Sequence, residues 1–556
     1  MHRHGSFSAL AGSVSAIALL FAAGALPANA AVACADLASL RIGAADIGLP
    51  TSGATINSAQ VQTVPANPVM PGGTRDYCKV LGAMAPVDPK APPIKFEVNL
   101  PAQWNGKAVQ YGGGGSNGVL ITGLNPLRDA RRDTPVPVAR GFATWGTDSG
   151  HQNETLAEER AFALNDESLI NMAYASYKKT HDVALRIVRA HYDRAPAKTY
   201  FYGGSEGGRE ALMMAQRFPA DFDAIVSVVP VAHYTGGNLS RAMLAPRQVA
   251  GGWINPAKVK TIHKAVVAAC DSLDGLADGV ISLYEKCLGV FDTGMLRCAN
   301  GADTGDACLS DAQIEADRAV HRPFVYPFPL KYGVTQFPGW NYAGEDQPGG
   351  MEQNITGKAP PRFPIVSEDD QAGGWINADQ FVRYLFVRDA KFNSLTFKPE
   401  NFAPRIREIS EMFDTTDPDL SPFLAHGGKL ILKGNGADYQ RSLMQEVSYY
   451  KSVVAKMGQT RADSFIRFYV TPGVNHGGEG VMSNGEPVPS DVDLLGALDM
   501  WADQGMAPGT LTQVTQENAA PFKVVASRPM CLYPLYPRYT GDGDPKAADS
   551  FTCSPQ

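Results

Sequence analysis

The chain has 556 residues, with 49 Lys plus Arg against 56 Asp plus Glu, a formal net charge of −7 and 44% hydrophobic residues. That length exceeds one ordinary hydrophobic core and points to roughly two to four domain-sized units. The mild acidity argues against nucleic acid as a partner.

In chain order, Arg3 precedes an apolar run over 9–26 that closes on Pro27 and Ala28-Asn29-Ala30, the small-x-small signature of a cleaved export signal. The run is short for a membrane span and is interrupted by Gly12, Ser13 and Ser15, so the mature chain is expected to begin at Ala31. Removing 1–30 takes one base and no acid, which moves the net charge from −7 to −8. No later segment is long and apolar enough to cross a bilayer, and the expected location is periplasmic or extracellular. All eight cysteines lie past the signal, and an even number in an exported chain favours disulfides. Their clustering suggests sequence neighbours as partners: Cys34 with Cys78, Cys270 with Cys287, Cys298 with Cys308, and Cys531 with Cys553. Eight cysteines allow about 105 connectivities, so the pairing is an expectation. No CxxC pair or HExxH motif supports zinc instead.

From 92 to 235 short apolar runs alternate with amphipathic stretches: 94–100, 107–111, 141–145, a helical 168–193, then 199–202. This punctuation predicts βαβ units, a mostly parallel sheet covered by helices. The rhythm breaks over 236–424, where cysteines, prolines and glycines crowd with Phe324, Tyr326, Phe328, Tyr332, Phe337, Trp340, Tyr342 and Trp375. The break reads as an inserted second domain. The sheet pattern resumes at Lys429-Leu430-Ile431-Leu432, followed by a helix near 441–456, a strand over 465–470 and a helix over 491–505.

The run Thr199-Tyr200-Phe201-Tyr202-Gly203-Gly204-Ser205-Glu206-Gly207-Gly208 is a strand entering G-x-S-x-G, with helical spacing after it. That is the context of a nucleophile elbow, in which glycines permit a sharp turn that lifts a serine hydroxyl out of the fold. A serine nucleophile needs a base. Of the eight histidines beyond the signal, His476 follows strand 465–470 through a loop, where such hydrolases place it. The orienting acid is expected between them in chain order, and Asp438 lies just past strand 429–432. Gly112-Gly113-Gly114-Gly115, after strand 107–111, offers an oxyanion donor; Gly113 is chosen, with the Glu206 N–H as the second. The order Ser205, Asp438, His476 thus predicts an α/β-hydrolase core of 31–235 and 425–556, with an inserted lid over 236–424. Within the insertion, Asp271, Asp274 and Asp278 share a compact loop with Gly275 and Gly279. Such carboxylates suit Ca²⁺, and Asp-Gly pairs also make ordinary turns.

These segments together resemble the tannase and feruloyl esterase family over nearly the whole mature chain. The resemblance is carried by Tyr200 through Arg209, by Cys270-Asp271 through Asp278-Gly279, by Gly428 through Leu432 with Ala437-Asp438, and by Pro472-Gly473-Val474-Asn475-His476. It implies a secreted serine esterase of hydroxycinnamoyl, galloyl or related benzoyl esters, with a small-molecule aromatic ester as its partner. It also implies a structural Ca²⁺ held by Asp271, Asp274, Asp278 and the carbonyls of Leu276 and Val280. The alternatives are a hydrolase of terephthalate half-esters and a catalytically silent, calcium-dependent binding protein. Two places depart from the family. A cysteine usually precedes the nucleophile and another follows the histidine, bridging beneath the triad, whereas here these are Gly204 and Gly477. Lys433-Gly434-Asn435-Gly436 stands where an aromatic-His-Gly stretch is usual, and nearby Arg441 reads either as an attractor of anionic substrate or as a solvated surface arginine.

Overall fold

The computed structural model describes Met1 and residues 31–64, 76–152 and 159–556; apart from Met1, the expected export signal lies outside them. Eleven strands are met up to residue 471: β1 (Ala54–Thr63), β2 (Asp76–Met84), β3 (Ile94–Pro101), β4 (Lys107–Tyr111), β5 (Ala143–Thr147), β6 (Lys198–Gly204), β7 (Ala224–Val228), a two-residue hairpin β8 (Phe324–Val325) and β9 (Gln336–Phe337), then β10 (Lys429–Asn435) and β11 (Ile466–Thr471). Nine of them form one sheet in the order β1-β2-β3-β5-β4-β6-β7-β10-β11. The six strands from β5 to β11 are parallel, and β3, β2 and β1 extend the sheet antiparallel. The sheet is therefore mixed, and the first of the runs whose alternation predicted parallel strands, 94–100, is the antiparallel β3.

The parallel strands are buried along nearly their whole length because helices cover both faces. On one face Phe201, Leu430, Leu432 and Phe468 pack with residues of helices Glu206–Arg217 and Leu443–Met457. On the other, Tyr200, Tyr202, Ile431 and Tyr469 pack with Leu495, Leu498 and Trp501 of helix Leu494–Gln504. The two-residue period of the strands divides neighbouring side chains between these cores.

Between β7 and β10 no described residue joins the main sheet. The chain there forms helices whose core holds Tyr326, Phe337, Trp340, Tyr342, Trp375 and Phe381, most of the aromatics that marked the break in pattern. This core also takes Phe162 and Met172 from before β6 and Ala437 and Tyr439 from after β10, so the helical layer packs directly on loops at one end of the sheet. After β11 two hairpins close the chain, β12 (Leu511–Gln516) with β13 (Val524–Met530) and β14 (Leu535–Tyr539) with β15 (Phe551–Pro555).

All four expected disulfides are formed, Cys34–Cys78, Cys270–Cys287, Cys298–Cys308 and Cys531–Cys553, with Cα separations of 5.6, 5.5, 5.0 and 5.6 Å. Among the described residues no helix is long and apolar enough to cross a membrane.

Candidate active site

Ser205 stands between β6 and helix Glu206–Arg217 with φ 60° and ψ −120°, a conformation that a non-glycine residue holds only when its surroundings enforce it. The enforcement is visible in the backbone. The Ser205 N–H donates to Val228 O (2.9 Å) and the Gly207 N–H to Gly113 O (3.1 Å). A Cβ on Gly203 would lie 2.1 Å from Gly207 O, and one on Gly207 would lie 2.6 Å from Gly113 O. Strand, helix and glycine-rich loop thus approach too closely for any side chain at either position.

Asp438 and His476 lie beyond the carboxyl ends of the adjacent strands β10 and β11. Their loops are bonded to each other: Gly436 N–H to Thr471 O (2.8 Å), Ala437 N–H to Val474 O (2.9 Å) and Asn435 Nδ2 to Asn475 O (2.7 Å). The helical layer holds the same loops from outside, with Asn341 Nδ2 on Gly436 O (2.7 Å) and Asn475 Nδ2 on Pro348 O (2.8 Å). In this frame His476 Nδ1 is 2.7 Å from Asp438 Oδ2, and His476 Nε2 is 2.8 Å from Ser205 Oγ. All three residues are buried. Burial by itself would raise the Asp438 carboxyl, but the His476 charge and hydrogen bond, with the Arg441 N–H and charge, hold it below the usual carboxylate range. For His476 burial prevails over the pull of Asp438, aided by the charges of Arg128 and Arg441, and keeps the imidazole below its ordinary value. The arrangement supplies a hydroxyl, a neutral base able to take its proton, and a carboxylate that fixes the base's tautomer.

The Glu206 N–H opens its helix and has no acceptor among the described residues, as an oxyanion donor requires. Gly113 is a correction. Its N–H donates to Glu210 Oε2 (3.0 Å), so a carboxylate already occupies the donor expected to face the substrate. Glu210 Oε1 accepts from Asn117 Nδ2 (2.5 Å), which makes Glu210 the buried post on which the glycine-rich loop hangs. Burial and the neighbouring Glu206 charge push its carboxyl up to about 7. Next along the loop, the Gly114 N–H has no acceptor among the described residues. Nothing in the motif pattern distinguished Glu210 from other residues of an amphipathic helix.

Where the family carries a cysteine before the nucleophile, this chain packs an arginine. A Cβ on Gly204 would lie 2.2 Å from Arg128 Cδ. The next residue, Asp129, forms a fully buried ion pair with Lys433 Nζ (2.7 Å), whose ammonium also reaches Asn435 Oδ1 (2.8 Å). The departures at 204 and 433 are therefore linked: the loop carrying Arg128 and Asp129 fills the place of one and pairs with the other.

In the acidic loop, Asp271 Oδ1 accepts the Gly279 N–H (2.9 Å), Asp274 Oδ1 the Leu276 N–H (3.1 Å) and Asp278 Oδ1 the Val280 N–H (3.1 Å), while Asp278 Oδ2 pairs with Arg528 Nη2 (2.7 Å). Among the described residues no three His, Cys, Asp or Glu side chains gather as a metal centre. The donor chemistry is still that of a hard cation. Burial, together with the Asp278 charge, raises Asp271, and burial pushes Asp274 up to about 6 against the opposing charge of Arg528, which pairs directly with Asp278. Its last residue, Val280, packs with Val474, on the loop that leads to His476, and with Val488 beyond it.

The tannase and feruloyl esterase family model matches residues 78–554. The chain belongs to that family. It is a carboxylic ester hydrolase. An uncharacterized esterase of Agrobacterium fabrum is 37% identical over 544 residues, covering 95% of this chain and 94% of the relative. The mono(2-hydroxyethyl) terephthalate hydrolase of Piscinibacter sakaiensis is 28% identical, covering 93% and 91%. Feruloyl esterase B from Aspergillus oryzae superposes with a TM-score of 0.75 at 22% identity, covering 94% of this esterase and 99% of that chain, a likeness of fold.

Proposed function

We propose that this esterase is an exported serine hydrolase that cleaves aromatic carboxylic esters through an acyl-enzyme. The observation that carries the reading is the unbroken hydrogen-bonded series from Ser205 Oγ through His476 to Asp438. His476 Nε2 takes the Ser205 proton as Oγ attacks the ester carbonyl, and Asp438 stabilises the resulting imidazolium. The Glu206 N–H receives the developing oxyanion, with Gly114 in place of Gly113 as the second donor. His476 then returns its proton to the leaving alkoxide, and water, deprotonated by the same imidazole, releases the acid.

Hydroxycinnamoyl, galloyl or related benzoyl esters are the proposed substrates, in keeping with relatives named as probable feruloyl esterases and as a terephthalate half-ester hydrolase. Four disulfides support export to the periplasm or the medium. The loop of Asp271, Asp274, Leu276, Asp278 and Val280 is the proposed Ca²⁺ site, where the ion would neutralise buried carboxylates. A fluorophosphonate should label Ser205, and Ser205→Ala should fold normally while losing both label and turnover. Undiminished ester hydrolysis by Ser205→Ala would refute the assignment.

A further inference from the structure

Three arginines are buried beside the candidate site. Arg160, Arg241 and Arg441 are only 2%, 5% and 8% exposed. Contacts link them in a chain to the triad. The Arg441 N–H donates to Asp438 Oδ1 (2.8 Å), and Arg241 Nη2 donates to the carbonyl of Gln440, the preceding residue. Arg241 also lies against helix Gly373–Gln380, where a Cβ on Gly374 would be 3.1 Å from its Nε. Arg160 Nη2 bonds Asn377 Oδ1 (2.8 Å) on the same helix. Aromatic faces wall the group: Arg241 sits 5.4 Å from the Trp340 ring centroid and Arg160 4.7 Å from that of Phe381, which packs on Tyr234.

Among the described residues one carboxylate faces this positive charge, Glu159 Oε2 at 3.6 Å from Arg160 Nη1, and none forms an ion pair with Arg241 or Arg441. The guanidinium of Arg441 makes no ion pair or hydrogen bond among the described residues, and the Nε atoms of all three arginines, Nη1 of Arg160 and the Tyr234 hydroxyl are buried without a hydrogen-bond partner. Of the neighbouring carboxylates, Asp438 is committed to His476 and Glu206 to Arg209 (2.6 Å), while Glu159 gives Oε1 to the Ser116 N–H (2.7 Å) and only Oε2 to Arg160. Glu446, near Asp438, is pushed strongly toward its neutral form by burial. Burial and the like charges of Arg441 and Arg160 lower Arg241 to about 9, and burial with the Arg160 charge lowers Arg441 as well. Unpaired donors and unneutralised charge in a buried, aromatic-walled place are costly unless an anion completes them.

We infer that Arg160, Arg241 and Arg441, with the Tyr234 hydroxyl, form a subsite for a carboxylate carried by the aromatic ester itself, so that the preferred substrate is a monoanion whose second acid group is free. The inference rests on the reading of Ser205 as nucleophile for its placement beside the scissile bond, but binding of the anion can be tested without turnover. In Ser205→Ala protein, benzene-1,4-dicarboxylate should bind by calorimetry, and the additional change Arg441→Gln should weaken it about tenfold or more, as expected for a charge-assisted contact. With active enzyme, the ratio of kcat/KM for the monomethyl over the dimethyl ester of that acid should exceed one and fall by a similar factor in Arg441→Gln and in Arg160→Gln. Damage to the fold lowers both rates together and leaves the ratio in place. No binding of the dicarboxylate, or a ratio unmoved in both variants, overturns the subsite. Turnover persisting in Ser205→Ala instead overturns the nucleophile and leaves the binding result standing.

Discussion

At the scale of single residues, the proposed chemistry depends on how burial and charge set proton affinities. His476 must be neutral to accept the Ser205 proton, and burial holds it below the ordinary imidazole value. Its basic form therefore persists into mildly acidic solution. The acid limb of kcat/KM should fall with an apparent pKa under about 6.5, the unperturbed value, and a limb centred at or above it would contradict the burial seen here. Glu210 gives a second residue-level test. Both of its oxygens accept hydrogen bonds, from Gly113 N–H and Asn117 Nδ2, and glutamine can accept only one and must turn a donor toward the other. Glu210→Gln should loosen the glycine-rich loop and lower kcat by about tenfold or more while circular dichroism stays native, because misplacing one oxyanion donor costs about 10²–10³.

Among the elements, the three proposed triad residues were legible because each directly follows a strand with a clear apolar signature, and parallel strands deliver such loops to one end of a sheet. Strands β1, β2 and β7 went unannounced: β1 and β2 alternate burial irregularly at the sheet's antiparallel edge, and β7 is a five-residue run with no turn signature of its own. Arg160, Arg241 and Glu210 could not be linked to the site by spacing, since only the fold brings them to Asn377, Gln440 and Gly113. The same holds for Arg128, whose occupation of the slot at Gly204 explains how the chain dispenses with a bridge there. Restoring that bridge as Gly204→Cys with Gly477→Cys should fail in the native background, because the new Cβ meets Arg128 Cδ at 2.2 Å. The pair should destabilise the protein by about 1–3 kcal/mol, as overpacking does, and Arg128→Ala should recover much of the loss in denaturant melts. Equal stability with and without Arg128 would show that the slot is empty.

Across the whole molecule, the acidic loop reaches the candidate site through Val280, Val474 and Val488. Calcium at Asp271, Asp274 and Asp278 should therefore protect activity as well as fold. A chelator should lower Tm reversibly, with Ca²⁺ at a hundredfold excess over its Kd restoring about 2.7 kcal/mol, and activity should decline in step. Identical melts with and without chelator would dismiss the ion. The cross-bonded ends of β10 and β11 carry a different consequence. They make carboxylate and imidazole a single leaf of a hinge, while the hydroxyl rides on β6, with β7 between. Changes that tilt that leaf will alter how far the base must reach without altering how strongly it holds a proton, so substrate scope and pH response can be tuned separately.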